Sequence, residues 1–261
     1  MKIIQQAQIR NNKLAFKSNE RQVFNILGEV KNRNTTNFFR NDIKDWDAFS
    51  KYLTTKFKDK KTNIYCYACS DGSEPYSIAM MLLSKLGVKK AQNFFPIIAK
   101  DKDKFILKRA QKGLVELQSI DIGQIDKFTK HPASDFFETI RDSDDLFCEN
   151  FGLSELKSDF KKTVIFQKAN ILKDVPNIKK DNSVVIFRIA WPYMSEWKRN
   201  ILLKKLHRQL GENSILVIAQ WDFYKCKLEE PLKKNGFVPS TFDFCYENTP
   251  PVSSKKKWFF F

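Results

Sequence analysis

The chain has 261 residues with a hydrophobic fraction of 42%, enough for one large domain and too apolar for a globally disordered chain. No run of about 18 apolar residues occurs, and Met1 to Gln6 lacks the apolar stretch of a signal peptide, so a cytoplasmic protein without membrane insertion is expected. The net charge of +16 favours acidic partners, but the lysines are scattered rather than gathered into one tract, so charge alone selects none.

In chain order, residues 17–32 read as an amphipathic helix with Val23, Phe24, Leu27 and Val30 at helical spacing. The polar connector 32–36 follows, then a second helix over about Asp45–Phe57 with Trp46, Phe49, Tyr52 and Leu53 on one face. Asn63–Ala68 reads as a buried strand, 70–73 as a turn, and Tyr76 to Leu83 as an apolar helix whose first turn tolerates Pro75. Phe94–Ala99 is a second strand ending at Asp101, and Phe105–Lys112 a helix closed by Gly113. Residues 114–162 carry little periodicity and read as one or two helices with a small insertion. Strands are then expected at Thr163–Gln167, Ser183–Phe187 and Ser214–Ala219, with helices at Ser195–Leu210 and Leu228–Lys234, the first capped by Ser195. Two late β segments, Phe237–Tyr246 and Lys257–Phe261, have no helix between them, so one should run antiparallel.

Strands alternating with helices define an α/β fold with a mostly parallel sheet covered on both faces. A helical N-terminal segment over 1–57 and a sheet domain over 58–261 are the expected divisions. Five cysteines at no framework spacing fit a reducing compartment. Cys66 and Cys69 form a C-x-x-C, open to a redox pair, half a zinc site, or two buried residues on a strand and its turn. No second C-x-x-C occurs, and His131 and His207 stand alone, which argues against zinc. Ligands of such sheets bind at the carboxyl ends of the strands. The Ala68 to Gly72 loop opens a helix whose amides can face a polar ligand, and Asp101 is placed to bind ribose hydroxyls. One glycine makes this a weak nucleotide motif by itself.

Several blocks sharpen the reading. Ser70-Asp71-Gly72-Ser73-Glu74-Pro75-Tyr76-Ser77-Ile78-Ala79, with Thr35-Thr36-Asn37-Phe38-Phe39-Arg40 upstream, resembles the CheR family of chemotaxis receptor glutamate methyltransferases. Ala99 to Asp103, Ala110 with Gly113, Ala169 to Leu172 and Ile186 to Met194 resemble further blocks of that family, in its order, across about 24–220. The resemblance implies a Rossmann-like class I methyltransferase with a seven-stranded sheet, S-adenosyl-L-methionine as cofactor and S-adenosyl-L-homocysteine as product. It implies that Asn34, Thr36 and Arg40 contact the amino-acid end of the cofactor, Glu74 its methionine moiety, Asp101 the ribose, and Asn170 and Ile171 the adenine. Ile189 and Ala190 would lie beside the cofactor. Arg40 and Tyr193 would flank the methyl group and the incoming carboxylate. In the family a small β-structure occupies the insertion, and in some members it tethers the enzyme to a receptor tail.

A glutamate carboxylate, with a reference pKa of about 4.3, is ionised near neutral pH and needs no general base. Positioning is then the main catalytic resource, through an Arg and a Tyr hydroxyl. The sequence departs from the family at Ile189, where the family has Asn, at Ser73, at Lys100 and Lys102, and at Pro192, which restricts Trp191. About 34 residues precede the first block, so a shortened form of the family's helical N-terminal domain is expected. The expected partner is an acidic protein, the cytoplasmic helices of methyl-accepting receptors, met by a monomer with no nucleic acid involved. The competing readings are a cofactor-binding regulator or scaffold that no longer methylates, and a methyltransferase acting on RNA or another protein.

Overall fold

The computed structural model describes residues 37–40, 43–141, 152–211 and 213–249. The expected helix over 17–32, the residues Asn34 and Thr36, and the β segment at 257–261 lie outside the described residues.

Asp45 caps α1 (Trp46–Phe57), its carboxylate accepting the Ala48 N–H at 2.8 Å. Trp46, Phe49, Leu53 and Phe57 of this helix are buried. β1 (Asn63–Tyr67) runs into α2 (Ser73–Ala91), which is interrupted at Gly87 (φ 68°). Next come β2 (Ile97–Asp101) and α3 (Lys104–Lys112), the latter closed by Gly113 at φ 68° in the left-handed conformation a C-cap needs. β6 (Val164–Lys168), the one-turn α6 (Ile171–Asp174), β7 (Ser183–Phe187), α7 (Glu196–Gln209) and β8 (Ile215–Val217) continue the alternation. The short helices α8 (Gln220–Lys225) and α9 (Glu229–Lys234) precede β9 (Phe237–Pro239) and β10 (Cys245–Asn248).

The sheet has the order β6-β2-β1-β7-β8-β10-β9. Pairing is parallel from β6 to β8, and β10 is antiparallel to both β8 and β9. The expected reversed strand is therefore β10. Both late strands fall within or just beyond the single expected segment 237–246, which a turn at 240–244 divides in two. β1 lies inside the sheet between β2 and β7, and its side chains alternate between two cores. Ile64 and Cys66 join α1, α2 and the insertion; Tyr65 and Tyr67 join the residues of α7 and α9 on the other face. Burial on both faces is what makes the central strands apolar throughout rather than alternating.

The chain passes from β1 outward to β2 and β6, then crosses back to β7 on the other side of β1. That reversal leaves a crevice at the carboxyl ends of β1 and β7, where ligands of such sheets bind. Within the weakly periodic stretch lie β3 (Leu114–Leu117), α4 (Ser119–Thr129), β4 (Phe137–Arg141), β5 (Gly152–Leu156) and the single turn α5 (Ser158–Lys161). The three strands form a separate antiparallel sheet in the order β3-β5-β4. The residues alone gave only helices and an insertion here. These strands are short and paired across distant sequence, so neither periodicity nor a tight hairpin turn marks them. Among the described residues, no helix is long and apolar enough to cross a membrane.

Candidate active site

The turn after β1 is tight because alternate residues take left-handed conformations: Ala68 at φ 56°, Ser70 at 51° and Gly72 at 90°. At Gly72 the close approach requires glycine, since a Cβ there would stand 2.9 Å from Cζ of Phe166. Asp71 accepts the N–H and hydroxyl of Ser73 at 3.2 and 2.8 Å, which opens α2. Above this turn lies a cavity of about 790 Å³, of the size and lining expected for a cofactor site. Arg40, Glu74, Asp101, Asn170, Ile171, Ile189, Ala190 and Tyr193 all line it, so the structure gathers every described residue proposed from the sequence.

Arg40 is set by the turn before it. The Phe38 N–H is donated to the buried Asp121 carboxylate at 2.9 Å, and the Phe39 N–H to the Ser77 hydroxyl at 2.8 Å. The ring of Phe38 packs edge-on against Phe137 of β4, and Phe39 stacks on Phe128 of α4. Both phenylalanines are thus packing residues that fix the arginine's backbone. Burial pushes the Asp121 carboxyl above its usual range, against the two backbone N–H groups it accepts.

Glu74, in the first turn of α2, pairs with Arg188 at the end of β7: Oε1 to Nη1 is 2.9 Å, with the side chains 10% and 2% exposed. Asp101 accepts the Ser70 N–H at 3.1 Å and the Asp103 N–H at 2.9 Å. Burial raises its carboxyl above the ordinary aspartate value, partly offset by backbone N–H donors. Asn170 caps α6 by accepting the Leu172 N–H at 3.0 Å, and the neighbouring Ala169 N–H reaches the Asp101 carbonyl at 2.9 Å. Below this turn, the Asp174 carboxylate takes Lys100 Nζ at 2.6 Å and the Tyr67 hydroxyl at 2.5 Å. Burial raises the Asp174 carboxyl, but the donors from Lys100, Tyr67 and Asn177 prevail and hold it low. Lys100 is therefore a buried anchor tying α6 to the ends of β1 and β2.

Ile189 sits at φ 56° and donates its N–H to the Asp222 carboxylate of α8. A β-branched residue at positive φ is uncommon and strained, and such strain gathers at functional sites. Tyr193 follows the buried Trp191, whose ring N–H is held by the Phe187 carbonyl at 2.7 Å, and it stands 74% exposed at the cavity mouth. Cys66 and Cys69 are free and buried, and burial raises both thiols. The C-x-x-C is thus core packing, although Cys69 also lines the cavity.

Sequence reasoning missed Asp121, Ser77 and Asp222, whose backbone-accepting roles join residues distant in sequence. It also passed over Lys198, a cavity residue in the first turn of α7. The placement of that turn just after β7, at the carboxyl edge, was the available signal.

The donor set fits S-adenosylmethionine: a partly desolvated carboxylate at the end of β2 for ribose hydroxyls, a polar cap and an apolar residue at Asn170 and Ile171 for a purine, and charged groups at Glu74 and Arg40 for a zwitterionic tail. The sheet order with one reversed strand inside its edge, together with this cavity, defines a class I S-adenosylmethionine-dependent methyltransferase fold. The chain belongs to the family described as CheR methyltransferase, SAM binding domain, whose family model matches residues 34–235. It is similar to a chemotaxis protein methyltransferase of Listeria monocytogenes, 26% identical over 189 residues, 71% of this chain and 64% of that protein. The chain therefore spans less than two thirds of that relative's length. A chemotaxis protein methyltransferase of Borreliella burgdorferi is 26% identical over 205 residues, 76% of this chain and 67% of the relative. Among solved structures, a TehB-like SAM-dependent methyltransferase of Corynebacterium glutamicum aligns over 89% of this chain and 96% of its own, at 13% identity and a TM-score of 0.39.

Proposed function

We propose that the protein forms glutamate methyl esters on the cytoplasmic helices of bacterial chemotaxis receptors, in the cytoplasm. The observation that carries this reading is the joint presence of Arg40 and Tyr193 in the cofactor cavity, which no histidine lines. A carboxylate nucleophile requires no proton removal, so an arginine to orient it and a hydroxyl to steer it meet the demands of the reaction. Bound S-adenosylmethionine supplies an electrophilic methyl carbon on its sulfonium. Asp101 accepts the ribose hydroxyls, Asn170 and Ile171 flank the adenine, and Ile189 and Ala190 lie beside the cofactor. Glu74, held by Arg188, binds the methionine moiety, and Arg40 contacts the amino-acid end of the cofactor beside it. Arg40 grips the incoming carboxylate lightly, since an interaction equal in ground and transition states would not raise the rate.

Calorimetric titration with S-adenosylmethionine and S-adenosylhomocysteine, with Asp101→Ala and Glu74→Ala beside the unmutated protein, tests the site. Transfer of labelled methyl groups to a receptor cytoplasmic fragment, released as methanol by mild base, tests the reaction. No cofactor binding by the unmutated protein sinks the enzyme reading. Ile189, apolar and strained where the family carries Asn, favours a second reading: a cofactor-binding regulator. Tight cofactor binding with no base-labile transfer to any glutamate-bearing fragment selects it.

A further inference from the structure

The cavity opens onto a surface that the reaction itself does not explain. Tyr193, Trp197, Trp221 and Tyr224 are 74%, 61%, 48% and 64% exposed. They stand on three neighbouring pieces of chain that follow β7 and β8: the 191–193 turn, the start of α7, and α8. Arg199 ties these pieces together, donating from Nη1 to the Met194 carbonyl at 2.9 Å and lying 3.5 Å from Sγ of Cys226. Large exposed aromatics grouped on one side of a protein mark an interaction surface more often than chance exposure does.

The outward face of α7 extends this patch. Its inner face buries Leu202, Leu203 and Leu206. At 3.6 residues per turn, Trp197, Ile201, Lys204 and Arg208 fall in one line on the opposite side, with Lys198 and Lys205 beside it, and all six are exposed. α7 carries five Lys and Arg side chains against one Glu. Lys198 belongs to both features, lining the cavity and standing at the head of the stripe, with its Nζ 5.6 Å from the ring of Trp197. The stripe is thus continuous with the mouth of the site.

Resting on the proposed reaction, we infer that this stripe on α7 seats an acidic, amphipathic polypeptide segment and leads one of its carboxylates past Tyr193 into the cavity. Trp197 and Ile201, one turn apart, provide an apolar seat for apolar side chains at the same spacing on the partner. Lys204 and Arg208 complement flanking carboxylates, which steers encounter and fixes register. A nucleic acid fits less well, because Ile201 at the centre of the stripe offers no face for stacking a base. A second copy of the chain is disfavoured by the repulsion of two bodies of net charge +16.

The test uses the full chain and three fluorescent probes: a helical peptide with Glu and Leu along one face, its Gln counterpart, and a single-stranded oligouridine. Binding is read by anisotropy for the unmutated protein, the Trp197→Ala/Ile201→Ala variant and the Lys204→Glu/Arg208→Glu variant. S-adenosylhomocysteine affinity and thermal midpoint are measured on the same samples. The Glu peptide should bind more tightly than the Gln peptide and lose about tenfold or more in affinity in each variant. S-adenosylhomocysteine affinity and midpoint should match the unmutated protein. Unchanged peptide affinity in both variants overturns the inference, as does oligouridine binding that the variants weaken while peptide binding is not affected. Absent S-adenosylhomocysteine binding in the unmutated protein would instead strike the proposed function, which separates the two failures.

Discussion

Asp121 offers a measurable link between the insertion and the site. Replacing it with Ala removes the acceptor for the buried Phe38 N–H and for the Gln118 N–H that opens α4. A buried donor left unsatisfied costs about 1–3 kcal/mol. The Gln118 N–H is less enclosed and re-hydrates, so loss of that half of the capping box adds about 0.5–1 kcal/mol. Removing a carboxylate that burial already disfavours returns part of this, so a net destabilisation of about 1–3 kcal/mol is expected. For a domain of this size each kcal/mol lowers the thermal midpoint by roughly 2–4 °C. The larger effect is on Arg40, two residues beyond Phe38. With the turn loosened, S-adenosylhomocysteine affinity should fall together with transfer, because misplacement by about 1 Å can cost about a hundredfold in rate. A double-mutant cycle separates the two effects. In an Arg40→Ala background, Asp121→Ala should still lower the midpoint but should leave cofactor affinity where Arg40→Ala alone put it. Additive losses of affinity would refute the idea that Asp121 acts through Arg40.

Three other outcomes are expected. Asp101 has a raised folded pKa, so its contribution to stability is present below the unfolded value and lost as pH rises through the folded one. Asp101→Asn should accordingly raise the thermal midpoint at neutral pH while weakening S-adenosylhomocysteine binding. In the unmutated protein that binding should decline as pH falls through the raised value, a pH dependence that calorimetry should find missing in the variant. Gly72→Ala forces a Cβ to within 2.9 Å of Phe166 at φ 90°; left-handed strain and overpacking together should cost about 2–5 kcal/mol by denaturant titration. An unchanged midpoint would mean the turn relaxes freely. Ile189→Asn places a residue that tolerates positive φ where a β-branched one is strained, so the midpoint should rise by roughly 2–4 °C in a calorimetric scan. A fall would show that the apolar wall Ile189 gives the cavity outweighs its backbone strain.

The sequence by itself determined the frame. The buried run of β1, the turn ending at Gly72, Pro75 in the first helical turn and Asp101 closing β2 are local signals, and each places a residue at the carboxyl edge of a parallel sheet. The motif order then named Arg40, Glu74, Asn170 and Tyr193 as companions, and the cavity contains all four. Tertiary structure alone decided how these residues are held. The Arg188 pairing of Glu74, the Asp121 and Ser77 anchors of the turn before Arg40, the Lys100–Asp174–Tyr67 cluster beneath Asn170, and the Asp222 carboxylate under Ile189 all join positions distant in the chain. Likewise, the basic and aromatic stripe on α7 becomes a surface only once Leu202, Leu203 and Leu206 are known to face the sheet. The physical reason is common to all of them. Periodicity and turn chemistry report a residue's own backbone, whereas the partners of a buried polar group are chosen by how distant elements pack.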